Sequence, residues 1–295
     1  MPTISANGLE IAYGVAGAGP PLVLLHGASS SGQADFEAQL PVLSGAFRCV
    51  VPDARGHAGT RWDAADGFRY DWLVDDVLAF ADALGLATFH LLGFSMGAAT
   101  ALAFAVRHPA RLRTMVLVGI STEREPRASV ARRLFDPARI EADDPAWGAE
   151  LSARHDEVQG PGAWQRLLPA VARDVADQEL HGPSELVRID CPVLVAVGDR
   201  DPFVPVDQAW RLKRQLPDAR LFVAPDCGHE VLLRRPALAT EALATFYRST
   251  GAVAARRAGV AAAAAAPPGP PHSSARAGTA GPLQPDTDWL KEAAR

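Results

Sequence analysis

Over the first 120 residues two hydrophobic rhythms alternate. Short, mainly apolar runs at 10–16, 21–26, 48–52, 89–93 and 114–119 have strand length and end in turn-forming residues. Between them lie segments with helical spacing. The segment 34–43 carries Phe36, Leu40 and Leu43, and 70–85 carries Leu73, Val77, Phe80, Ala81 and Leu84 before a natural stop at Gly85. The third, 95–108, is rich in Ala and Leu. Apolar strands buried on both faces and separated by helices predict an α/β fold: a mostly parallel central sheet with helices on both sides.

The rhythm breaks between 121 and 188, where charges and prolines accumulate and helical pieces occur near 130–135, 146–155 and 163–175 without a convincing strand. This stretch is expected to be a small helical insertion. Strand and helix patterns resume at 192–198, 206–216, 220–224 and 236–247. From Gly251 to about Pro285 the chain is mainly Ala, Pro, Gly, Arg and Ser, which predicts a disordered tail, with one short helix in reach at 286–292. The expected division is a core of 1–120 and 189–250, an insertion of 121–188 and a tail of 251–295.

Composition narrows the function. A chain of 295 residues with 48% apolar content supports one large domain with an insertion. A net charge of −5 argues against a nucleic-acid partner. Cys49, Cys191 and Cys227 are odd in number and lack metal-ligand spacing, so they read as incidental thiols in a reducing compartment. The N-terminus has no signal-peptide pattern and no apolar run is long enough to cross a bilayer, so a cytoplasmic location without membrane association is expected.

The strongest chemical signal is Gly93-Phe94-Ser95-Met96-Gly97, placed between an apolar strand and a helix. A serine on so tight a turn stands clear of the sheet, needs small residues two before and two after it, and faces a helix N-terminus suited to developing negative charge. The plain alternative is Ser95 as an ordinary helix cap. A serine hydroxyl needs a base. Of eight histidines, His229 alone lies in a short loop after a late strand, where α/β sheets place their sites. Cys227, two residues earlier, raises a Cys–His alternative that has the poorer nucleophile context. The acid that orients the imidazole is sought in Gly198-Asp199-Arg200-Asp201. Asp199 is placed to brace the loop, and Asp201, further out, to turn back towards His229, so Asp201 is favoured.

From about Thr3 to Ser249 the chain resembles the α/β-hydrolase superfamily. His26-Gly27 before Ala28 is similar to its oxyanion loop. The segment from Pro52 to Thr60 resembles its D-x-R-G-H-G-x-S loop, with Ala58 for the usual glycine and Thr60 for the usual serine. The elbow, the G-x-x-D element ending in Asp201 and the pair Gly228-His229 also match. The resemblance implies Ser95, Asp201 and His229 as a catalytic triad, backbone N–H groups of Ala28 and Met96 as oxyanion donors, and a lid at 121–188 whose Leu134, Phe135, Trp147, Trp164, Leu167 and Leu168 either roof the pocket or form the lid's own core. His26, Asp53, Arg55 and His57 read as structural bracing.

The expected chemistry is acyl transfer to water on a small to medium ester or lactone, with no cofactor and no metal, and with the oligomeric state left open. Relatives with such a triad include carbon–carbon bond hydrolases, methylesterases, acyltransferases and cofactor-free peroxidases. A non-catalytic binding protein on the same fold is the alternative of a different class.

Overall fold

Asn7 and Gly8 take φ of 49° and 75°, the two-residue turn whose twist matches that of paired strands. They fold β1 (Thr3–Ala6) antiparallel onto β2 (Leu9–Ala16). The remaining strands are β3 (Pro21–Leu25), β4 (Arg48–Pro52), β5 (Phe89–Phe94), β6 (Leu112–Val118), β7 (Val193–Gly198) and β8 (Ala219–Ala224). They complete an eight-stranded sheet in the order β1-β2-β4-β3-β5-β6-β7-β8. The pairings from β4 to β8 are all parallel, and β2 joins β4 antiparallel. The computed structural model describes residues 1–63 and 66–264, with side chains as far as Gly251.

Both faces of this sheet are covered, which is why β3, β5, β6 and β7 are apolar at almost every position. On one face α3 (Tyr70–Ala83), α4 (Met96–Arg107) and α10 (Val206–Gln215) bury Leu73, Val77, Leu102 and Leu212 against Val23, Leu91, Met115 and Val195. On the other, α1 (Gly32–Phe36), α2 (Leu40–Leu43), α11 (Val231–Arg234) and α12 (Pro236–Ala264) bury Phe36, Leu43, Leu232 and Phe246. The single helix expected at 34–43 is thus two. A proline inside a helix loses its own hydrogen bond and clashes with the preceding turn, so α1 ends and α2 begins with Pro41 in its first turn.

Between β6 and β7 the chain forms α5 (Arg127–Leu134), α6 (Pro137–Asp143), α7 (Pro145–Gln159), α8 (Ala163–Asp177) and α9 (Pro183–Leu186). The sequence reading lacks α6 and α9, short helices that each start on a proline. Asp136 caps α6 through Ala138 N–H at 3.1 Å, and Asp144 caps α7 through Trp147 N–H at 3.0 Å. Trp164, Leu167 and Leu168, with Leu151 and Val171, are buried within this helical layer, and the Trp164 indole donates to Ser152 Oγ at 3.0 Å. Leu134 points outward and is 41% exposed. At the other end α12 continues past the composition change at Gly251 to Ala264, whereas the rest of the expected tail, including 286–292, lies outside the described residues.

Candidate active site

Strand β5 ends in a turn that the sequence makes compulsory. Ser95 has φ 51° and ψ −111°, a conformation L-residues rarely adopt and one that stores roughly 1–3 kcal/mol. Its N–H donates to Val118 O at 2.8 Å and its carbonyl accepts from Ala99 N–H at 2.9 Å, so neighbouring strand and following helix both hold the strain in place. Gly93 and Gly97 are required by space. A methyl group on Gly93 would strike the backbone of Gly97, and one on Gly97 the carbonyl of Leu25.

The loops after β7 and β8 are joined to each other. Asp199 Oδ1 accepts the Cys227 N–H at 2.9 Å, and that bond holds the Asp199 carboxyl below the usual carboxylate range. Arg200 N–H donates to Cys227 O at 2.9 Å. Asp199 is therefore the brace. Asp201, with no exposed side-chain surface, accepts Phe203 and Val204 N–H on Oδ1 at 2.8 and 3.1 Å, which leaves Oδ2 for the His229 Nδ1–H at 2.8 Å. On the other side of the ring, Ser95 Oγ–H donates to His229 Nε2 at 2.8 Å. The three sequence-predicted residues thus meet in one hydrogen-bonded line at the carboxyl ends of β5, β7 and β8. The rings of Phe203 and Phe94 flank the imidazole at 4.4 and 5.3 Å.

Gly119, just after β6, floors this line. It has φ 70°, and a Cβ there would sit 2.8 Å from His229 Cε1. Gly119→Ala is expected to push the imbedded imidazole off line and lower kcat by about 100-fold, the scale of a misplacement near 1 Å, without a matching rise in KM. Steady-state kinetics on a chromogenic ester checks this; an unchanged kcat would show that the ring is not held from below.

The loop after β3 carries the expected oxyanion donor Ala28. Its preceding N–H, that of Gly27, donates to Asp35 Oδ2 at 2.7 Å, and Ser30 Oγ–H donates to Asp35 Oδ1 at 2.6 Å. Asp35 is 2% exposed, and burial pushes its carboxyl up while these bonds and His26 act the other way. Neither Ala28 nor Met96 N–H meets a protein acceptor among the described residues, and Met96 opens α4. His26 braces the loop. Ala54 N–H donates to its Nε2 at 2.9 Å, so Nδ1 carries the proton and donates to Gly27 O at 2.7 Å.

Beneath it, the loop from Asp53 to Thr60 is an internal network. Asp53 accepts Gly32 and Gly59 N–H at 3.0 and 3.1 Å, and Arg55 pairs with Asp76 at 2.7 Å. Thr60 Oγ accepts Ala12 N–H at 3.0 Å and donates to Asp53 O at 2.8 Å, so threonine keeps the hydroxyl that serine would supply. Ala58 sits at φ 39°, where glycine is the unstrained residue. Ala58→Gly is expected to stabilise the fold by roughly 0.5–1 kcal/mol, read as a higher urea midpoint at constant slope.

Helix α7 ties these loops together through side chains that carry no local sequence signal. Arg154 Nη1–H donates to Ser29 O at 2.7 Å. His155 accepts Ala58 N–H on Nδ1 at 3.0 Å and donates from Nε2 to Ser29 O at 3.3 Å. Gln159 Nε2–H donates to Thr60 O at 2.6 Å, and Oε1 accepts Trp62 N–H at 3.1 Å. His57 packs between His26 and His155, with ring centroids 5.1 and 5.6 Å away. Burial depresses two members of this stack: His155 to about 4, and His57, at its centre, well below its ordinary 6.5, the latter helped by the two adjacent rings.

These histidines fold neutral, while the unfolded chain takes up protons near 6.5. Their contribution is complete above that pH and is lost as pH falls towards the folded values. At pH 5, His155 alone is expected to cost about 2 kcal/mol. Urea unfolding between roughly pH 7 and pH 5 measures this, and His155→Gln is expected to flatten the slope.

Burial pushes the Cys227 thiol up, which disfavours the thiolate that a Cys–His nucleophile requires. Among the described residues no group of three or more His, Cys, Asp or Glu side chains could hold a metal, and no helix is long and apolar enough to cross a membrane. A family model described as the alpha/beta hydrolase family matches residues 22–243. A 2-hydroxy-6-oxononadienedioate/2-hydroxy-6-oxononatrienedioate hydrolase of Pseudomonas putida is 30% identical over 251 residues, covering 75% of this chain and 85% of that protein. The enol-lactonase of Burkholderia xenovorans LB400 superposes with TM-score 0.68 at 23% identity, over 84% of this chain and 100% of that one. Est816, an N-acyl homoserine lactone degrading enzyme, does so with TM-score 0.66 at 26% identity, over 83% and 100%. The sheet order, the elbow and the family match agree: this chain belongs to the alpha/beta hydrolase family.

Proposed function

We propose that the protein is a serine hydrolase that cleaves a small to medium ester or lactone through an acyl-enzyme on Ser95. The observation that carries this reading is the unbroken line Ser95 Oγ, His229 Nε2, His229 Nδ1, Asp201 Oδ2, with both hydrogen bonds 2.8 Å long. His229 takes the hydroxyl proton as Ser95 attacks the carbonyl, and returns it to the leaving alcohol. Ala28 and Met96 N–H groups receive the oxyanion, and His229 then activates water to release the acid. Ester cleavage asks for one acid–base group, and His229, set between two phenylalanine rings, supplies it. The helical layer over the sheet edge acts as the lid, and the lactone-degrading relative supports lactones within the substrate class.

A second reading is hydrolysis of a carbon–carbon bond. It is favoured by the Pseudomonas putida relative, whose substrate is named with hydroxyl and oxo groups and carboxylates but no ester. The test is a panel of p-nitrophenyl esters and lactones of rising acyl length beside a 2-hydroxy-6-oxo-dienoate, with fluorophosphonate labelling of the enzyme. Labelling at Ser95 with ester or lactone turnover is the expected result. Labelling with turnover of the dienoate alone favours the second reading, and no labelling with no turnover overturns both.

A further inference from the structure

A cavity of about 460 Å³ lies between α3, α4 and the end of α8, and none of the three triad residues lines it. Its apolar wall is made by Ala99, Leu102, Ala103 and Leu180. Arg127, at the start of α5, reaches it although the residue is only 6% exposed. Its guanidinium has no carboxylate within ion-pair distance among the described residues, and its Nε is buried without a hydrogen-bond partner. With the Gln178 amide turned so that its oxygen faces the guanidinium, both terminal nitrogens donate to it at 3.3 Å, which is a long bond to a neutral group. Nearby, Arg124 donates to Gln178 O at 3.1 Å and leaves its buried Nη1 unpaired.

A buried cation without a counter-ion is costly, and proteins otherwise pair it. The other acids around the cavity are engaged elsewhere or lie at the rim. Asp71 pairs with Arg69 and Arg107, Asp174 accepts Tyr70 N–H at 2.7 Å, and Asp177 and Glu179 are exposed. Those rim carboxylates oppose a multiply charged anion more than a singly charged one. A guanidinium fork beside an apolar wall matches a planar carboxylate on a hydrocarbon body.

We propose that this cavity binds a small organic monocarboxylate, its carboxylate on Arg127 and its apolar body against Ala99, Leu102 and Ala103. The site is separate from Ser95 and stands whether or not the hydrolase reading does. Isothermal titration of the whole protein with benzoate, its neutral counterpart benzamide and inorganic phosphate tests it. Benzoate is expected to bind saturably, with the other two at least about tenfold weaker, as the loss of a charge-assisted pair implies. Arg127→Gln is expected to weaken benzoate at least about tenfold. Ala103→Leu, which fills the cavity and keeps the arginine, is expected to do the same and decides the matter if the first variant does not fold. Crystals soaked in 4-bromobenzoate are expected to show bromine beside Leu102. No saturable benzoate binding, equal binding of phosphate or benzamide, indifference to Ala103→Leu, or bromine at Ser95 instead would each overturn the proposal.

Discussion

Ser95→Ala is expected to fold as the parent does and to lose ester turnover by on the order of 10⁴- to 10⁶-fold. Alanine keeps the Cβ and the same backbone demand at φ 51°, so the elbow and its bonds to Val118 and Ala99 are preserved. What disappears is the atom that attacks. His229 Nε2 then faces a half-buried position that water can reach, which limits the stability change. Residual rate is expected from the Ala28 and Met96 donors acting on bound ester. Burst and steady-state kinetics, with circular dichroism and a melting curve as controls, provide the measurement. A variant that hydrolyses esters at the parental rate would remove Ser95 from the mechanism.

Asp201→Asn should lower kcat by about 10⁴-fold while leaving the loop intact, because one oxygen of the side chain is structural and the other chemical. The amide oxygen can still accept Phe203 and Val204 N–H, the two bonds that shape the turn. The amide nitrogen then replaces Oδ2 opposite His229 Nδ1. A donor there favours the tautomer with the proton on Nε2, which faces Ser95 with a donor and cannot take its proton. Asp199→Asn is the control. It keeps an acceptor for Cys227 N–H, so its activity should stay within a few-fold of the parent. If the two variants behave alike, the assignment of the acid fails.

Much of this architecture is legible in the chain because it depends on local rules. Doubly covered strands must be apolar throughout, and a serine at an elbow must have small neighbours two positions away, so β3, β5, β6, β7 and Ser95 declare themselves. The two aspartates after β7 show where local rules end. They differ by whether a side chain meets the Cys227 N–H or the His229 ring, both contacts across 28 residues. The hairpin of β1 and β2 does carry a signal, Asn7-Gly8, and Thr3 to Ala6 alternates polar and apolar, but four residues are too short a run to stand out as a strand. Asp35 reads as one polar position of a helix although it holds the loop after β3 from within. His155 lies in a helical pattern like any other, and its partners at Ser29 and Ala58 lie 126 and 97 residues earlier.

That grip of α7 on Ser29, Ala58 and Thr60 ties the covering layer to the loop that carries Ala28. The layer therefore cannot swing away as an independent door. Arg154 and His155 both contact Ser29 O, next to Ala28, so under the proposed lid role a tilt of α7 would be felt at the proposed oxyanion site. Acid is expected to act at the same joint: a proton on His155 Nδ1 would turn its bond with Ala58 into a clash of two donors and weaken the hold of α7 on this loop.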